Sequence, residues 1–108
     1  MTGGRQIRVE LPKPFTPGMV KLAFVEGQQI LIVNVGGTLR AIANSCPHAG
    51  SSLYGGKLIG AKIRCPSHGL MIDLVTGCAG AVGGLSTPVF AVEEIDGLAL
   101  VTLDEPGD

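Results

Sequence analysis

An all-β fold, an antiparallel sandwich or small barrel of short strands, follows from three features of the sequence. Apolar, β-branched runs recur along the chain, each bounded by a turn signal. No segment keeps a 3.6-residue apolar stripe over three turns, as a helix packed on a core would. Glycine makes up 17 of 108 residues, more than twice its usual share of about 7%, and glycine suits tight turns while weakening helix interiors.

The elements follow in order. QIRVEL (6–11) and VKLAFVEG (20–27) supply the first two strands, and Pro12, Pro14 and Pro17 mark the loop between them. QQILIVNV (28–35) is apolar on both faces, the pattern of a strand buried from both sides. Gly36-Gly37 separates it from TLRAIANS (38–45), which reads as a hairpin. KLIGAKIRC (57–65) and LMIDLV (70–75) read as shorter strands. VFAVEEI (89–95), Asp96-Gly97 and LALVTL (98–103) repeat the hairpin arrangement, with Asp-Gly as a two-residue turn signal.

A chain of 108 residues predicts one domain over 1–108. Its hydrophobic share of 45% places it among globular rather than disordered chains. A formal net charge of −1, no basic run, one Tyr, three Phe and no Trp argue against a nucleic-acid partner. No apolar run approaches the roughly 20 residues that span a bilayer. The opening MTGGRQIRVELPKP lacks the apolar core of a signal peptide. A soluble, cytoplasmic protein with no membrane partner is the expectation.

The chemistry lies in two similar words, SCPHAG (45–50) and RCPSHG (64–69). They contain both histidines and two of the three cysteines. The pattern is Cys46-x-His48, sixteen residues, then Cys65-x-x-His68. A disulfide between Cys46 and Cys65 would leave the paired histidines unexplained. Two loops that converge would instead bring two thiolates and two imidazoles together. Zinc accepts such a set in a tetrahedron, although its usual spacings pair Cys with Cys and His with His, and Cys-x-His is a tight bite on one ion. A two-iron, two-sulfur cluster accepts the same set with two Cys on one iron and two His on the other. A hydrolase would need a histidine base free of such a centre. GCAGAVGG (77–84) has the glycine content of a phosphate loop but no Gly-Lys-Ser/Thr.

The run CPHAGSSL…IRCPSHGLMIDLVTG resembles the signature of the Rieske family, C-x-H followed at 15 to 17 residues by C-x-x-H. The likeness extends over about residues 6–103, with the specific motif in 44–77. It implies a Rieske fold, an antiparallel β-sandwich carrying a small cluster-binding subdomain formed by two loops, about 44–54 and 64–77. It implies one Rieske-type [2Fe-2S] cluster per chain, with Cys46 and Cys65 on one iron and His48 and His68 on the other. Backbone N–H groups of residues 48–50 and 67–70 are then expected to face the cluster sulfurs, with Pro47 and Pro66 stiffening the loops. Gly50 and Gly69 would let the chain approach closely or take positive φ. Gly83-Gly84-Leu85 falls where the family has a third, covering loop, without its usual proline.

High-potential members carry a disulfide between the cluster loops and Ser and Tyr hydroxyls near the sulfurs. The matching positions are Ser51 and Ser67, then Leu70 and Ile72, so this sequence implies neither. Fewer donors to sulfur stabilise the reduced state less, which places the potential toward the low end of roughly −150 to +300 mV. The chain therefore looks like the soluble Rieske ferredoxins of bacterial aromatic-ring oxygenases. These are not enzymes themselves. They pass single electrons from a flavin-dependent NAD(P)H reductase to a terminal oxygenase, through transient contacts, as monomers or weak oligomers. The small Rieske subunit of assimilatory NAD(P)H nitrite reductase is a second reading, and a zinc-stabilised interaction module a third. Leu53, Leu70 and Met71 are candidates either for an apolar collar at the exposed histidines or for core packing between the loops. Asp73 is expected to support the turn after the second loop, Cys78 to be a buried inert thiol, and Lys57, Lys62 and Arg64 to be solvated charge near the cluster end.

Overall fold

The computed structural model describes residues 4–45, 52–66, 69–78 and 87–104. The described residues form nine strands and no helix, as the all-β reading expects. They are β1 (Gly4–Glu10), β2 (Val20–Val25), β3 (Gln28–Val35), β4 (Thr38–Ala43), β5 (Lys57–Ile59), β6 (Lys62–Arg64), β7 (Met71–Asp73), β8 (Val89–Ile95) and β9 (Leu98–Asp104). Six make one antiparallel sheet in the order β1-β9-β8-β4-β3-β2, and three make a second in the order β5-β6-β7.

The larger sheet folds on itself because β8 changes partners along its length. Ala41 and Ile42 of β4 pair with Phe90 and Val89, whereas Ala91 to Ile95 pair with β9. The sheet edges β1 and β2 then face one another across a cleft of about 350 Å³ lined by Ile7–Glu10 and Lys21–Val25. Inside this curl lies the first apolar core, with Val9, Ala23, Val25, Ile30, Ile32, Leu39, Ala41, Ala99, Val101 and Leu103.

Two-residue turns set the registers. Val35 pairs with Thr38 across Gly36-Gly37, and Ile95 with Leu98 across Asp96-Gly97. All four turn residues have positive φ, between 53° and 99°, the backbone that matches the right-handed twist of a hairpin. Glu26-Gly27 makes a third such turn, with φ of 50° and 84°, so β2 ends at Val25 rather than running to 27. KLIGAKIRC is likewise a hairpin rather than one strand: Ile59 pairs with Lys62 across Gly60-Ala61, and Gly60 has φ 60°.

β3 joins the two sheets. Ile30 and Ile32 face the first core, while Leu31 and Val33 face a second with Ile42, Leu53, Ile63, Cys65, Ile72 and Leu74. Strand alternation sends consecutive residues to opposite faces, so the doubly apolar run seen in the sequence serves two cores. The small sheet with its two loops sits on that second core. The loop between β1 and β2 is pinned to β3 by Asn34, whose Nδ2 donates to Phe15 O at 2.7 Å and whose Oδ1 accepts from Gly37 N–H at 2.7 Å.

Candidate metal centre

The first loop leaves β4 at Asn44-Ser45 and returns at Ser52-Leu53. Asn44 is buried and holds the two ends together. Its Oδ1 accepts from Leu53 N–H at 2.7 Å and Tyr54 N–H at 2.9 Å. Its Nδ2 donates to Gln29 Oε1 and Ser52 Oγ, both at 2.9 Å. All four hydrogen-bonding positions of the amide are thus engaged. Cys46, Pro47, His48, Gly50 and Ser51 lie outside the described residues.

The second loop opens at the end of β6. Cys65 N–H donates to Leu70 C=O and Gly69 N–H donates to Cys65 C=O, each at 2.8 Å. These bonds close a tight loop from Cys65 to Leu70, with Gly69 at φ 72° as the sequence suggested. Cys65 is buried, within the second core. Ser67 and His68, inside this loop, lie outside the described residues.

Leu53 and Cys65 belong to one apolar cluster. Gly56 brings the returning first loop against β6 so closely that a Cβ there would overlap the Arg64 carbonyl oxygen. The return of one loop and the entry to the other are therefore neighbours. Behind the second loop, Asp73 Oδ1 accepts from Val75 N–H at 2.8 Å and Thr76 N–H at 3.2 Å, the expected turn support. Gly77 N–H donates to Asp73 C=O, and Thr87 N–H to Gly77 C=O. Gly83, Gly84 and Leu85 lie outside the described residues.

Several expectations are corrected. Gly69 N–H is engaged by Cys65 C=O and is not directed at a cluster sulfur. Leu53 is no part of an exposed collar. It is fully buried, because Asn44 draws its backbone into the second core. Leu70 is half-buried against that core and Met71 is half-buried, while Tyr54 is exposed. Cys78 is exposed rather than buried. It follows the Asp73–Gly77 turn, with its C=O accepting from Asp73 N–H at 2.9 Å. Asn44 was not singled out in the sequence. The signal was an Asn just before the first cysteine, at a strand end where side-chain capping of backbone is favoured.

The residues present fit an iron–sulfur centre. The candidate donors by residue type, two cysteines and two histidines in the two loop segments, are the set such a centre takes. Cys65, the one candidate donor among the described residues, stands in an apolar shell of the kind that shields such centres from solvent.

Comparison with known proteins gives the same reading. The Rieske [2Fe-2S] domain family matches residues 7–91. The chain is 35% identical over 89 residues to the oxygenase component of chloroacetanilide N-alkylformylase from Rhizorhabdus wittichii, covering 76% of this chain and 26% of that protein. It thus spans about a quarter of that relative's length. It is 31% identical over 74 residues to the ferredoxin component of the naphthalene 1,2-dioxygenase system of Pseudomonas putida, covering 66% of this chain and 71% of that one. Among solved structures, the ferredoxin of carbazole 1,9a-dioxygenase from Nocardioides aromaticivorans superposes with a TM-score of 0.79 at 28% identity, over 89% of this chain and 95% of that one. A chain of the complex of reduced oxygenase and oxidized ferredoxin in carbazole 1,9a-dioxygenase gives 0.77 at 28% identity, over 88% and 99%. The small sheet on a strand-sharing second core, the closed Cys65–Leu70 loop and these matches lead to one conclusion: the chain belongs to the Rieske [2Fe-2S] domain family.

Proposed function

We propose that the chain is a one-electron carrier, a low-potential Rieske ferredoxin that takes electrons from a flavin-dependent NAD(P)H reductase and delivers them to a terminal oxygenase. The observation that carries this reading is coverage. The likeness takes in 95% of a dioxygenase ferredoxin but 26% of an oxygenase component. The carbazole complex, in which a ferredoxin is held by its oxygenase, supports the second half of the transfer. We assign Cys46 and Cys65 to one iron and His48 and His68 to the other, within a single cytoplasmic domain over 1–108.

When bound, the cluster supplies a reversible one-electron couple. The chain fastens the ends of the two loops and keeps water from Cys65. Asn44 fixes the ends of the first loop, the Cys65–Leu70 backbone bonds fix the second, and the core around Ile63, Ile72 and Leu74 keeps both in register. Ile72 is fully buried and Leu70 half-buried, and neither offers a hydroxyl where high-potential members have one. Contacts with each partner are weak and small, below about 1,200 Å², as in other redox encounters.

The purified protein tests the assignment. Expected are a reddish-brown colour, two irons and two acid-labile sulfides per chain, and the reduced-state EPR of a histidine-ligated centre. Cys65→Ser should abolish all three. A colourless protein with one zinc would establish the interaction-module reading instead.

A further inference from the structure

The small sheet has an outer face that the cluster site does not explain. β5 and β6 turn Leu58 and Ile63 toward the second core and leave Lys57, Ile59, Lys62 and Arg64 exposed on the opposite face. The register sets Lys57 directly across from Arg64, and Ile59 across from Lys62. On the far side Arg64 pairs with Met71, and Lys62 with Asp73. Like charges directly opposite in a ladder destabilise it, and among the described residues none of the three cations is ion-paired. The one acid in this row, Asp73, has its carboxylate engaged by the N–H groups of Val75 and Thr76. Arg64 reaches the second loop: its Nε lies 3.9 Å from where a Cβ on Gly69 would stand.

The rest of the chain has the opposite balance. Residues 44–88 hold three cations and one acid, and the remainder five cations and eight acids, Glu93, Glu94 and Asp96 among them. The net charge of −1 thus divides into +2 over residues 44–88 and −3 over the rest of the sequence.

We propose that the face of Lys57, Lys62 and Arg64 is a docking surface for an acidic face on a redox partner protein, with exposed Ile59 as its apolar contact. The proposal rests on the carrier reading and extends it to the chemistry of the partner. Complementary charge orients an encounter and raises its rate more than its affinity, which suits a carrier that must leave after each electron. A positive end bordering the second loop turns that loop toward the acceptor before contact.

The test uses the reduced holoprotein mixed by stopped flow with hexacyanoferrate(III), an anion, and with hexaamminecobalt(III), a cation. One electron leaves the protein and reduces the metal of the oxidant. Salt is raised from about 0.01 to about 1 M, which shrinks the Debye length from about 30 to about 3 Å. The net negative charge alone would make the anion react faster as salt rises. The docking face makes it react slower, by about tenfold across the range, and the cation faster. K57E/K62E/R64E, checked for folding by circular dichroism, should reverse both slopes, with the single reversals falling between. In a second arm, a fluorescein-labelled deca-glutamate peptide should bind the oxidised wild-type protein and not the triple variant. This arm needs no electron transfer, so it reads the face even if the protein proves to carry no iron, a result that would overturn the carrier reading alone. Slopes that follow the net charge, peptide binding unchanged in the triple variant, or equal binding of a DNA duplex would overturn the proposal.

Discussion

Asn44 is one buried side chain that determines whether the first loop can exist in its present form. Replacing it with Ala leaves the buried Leu53 N–H without an acceptor, at a cost of about 1–3 kcal/mol. Tyr54 N–H keeps Ser52 Oγ within 3.3 Å. Asn44→Ala is therefore expected to lower stability by that amount and to release iron faster to a chelator, while Ser52→Ala, at an exposed residue, changes stability by less than about 1 kcal/mol. Urea denaturation and the bleaching rate of the visible spectrum check this. The glycines give a graded series. Gly36 has φ 61° and open space where a methyl group would stand, so Gly36→Ala carries the left-handed penalty of about 1–2 kcal/mol. Gly77 has φ 81°, is buried, and faces the Thr87 carbonyl, so Gly77→Ala adds steric overlap of about 1–3 kcal/mol. Equal melting temperatures for the two variants would contradict this account of Gly77. At this scale the Cys-x-His and Cys-x-x-His words were plain in the sequence, because metal donors are few residue types at short spacing. Asn44 was not, because its partners at 29 and 52–54 are far along the chain and only the fold brings them near.

Among the elements, β3 is the one shared by both cores. Its doubly apolar run, the Gly36-Gly37 hairpin and the Asp96-Gly97 hairpin could be read directly, since their signals are local: strand composition and turn residues of positive φ. The β5–β6 hairpin could not. A run of apolar residues on both sides of Gly60 hides a turn in a segment that reads as continuous, and packing on Leu31 and Val33 decides where it bends. The shared strand makes a differential prediction. Leu31→Ala and Ile32→Ala should each destabilise the fold by about 2–5 kcal/mol. Only Leu31 supports the core that contains Cys65, so at matched fractions folded Leu31→Ala loses cluster colour faster. Equal rates of loss in EDTA would show that the two cores act as one.

As a whole, the described residues form two sheets over two cores joined by β3, with Cys65 in the second. With no hydroxyls at Leu70 and Ile72, the proposed cluster is expected to have a reduction potential toward the low end of the range from roughly −150 to +300 mV. Protein-film voltammetry checks it, and a midpoint above about +200 mV would refute the low-potential assignment. Composition and turn signals made the all-β class legible, because short apolar runs and glycine content are read directly from the residues. The gathering of Lys57, Lys62 and Arg64 on one face depends on register instead, and became visible only once Lys57 was seen opposite Arg64. The closure of each loop at its base has a consequence of another kind. Asn44 ties the ends of the first loop, and the Cys65 N–H to Leu70 C=O bond ties those of the second. The scaffold therefore behaves as a socket whose rim is fastened by residues other than the candidate histidines. A family built this way can retune its electron chemistry by rewriting a handful of residues in the loops, while the strands beneath go on unchanged.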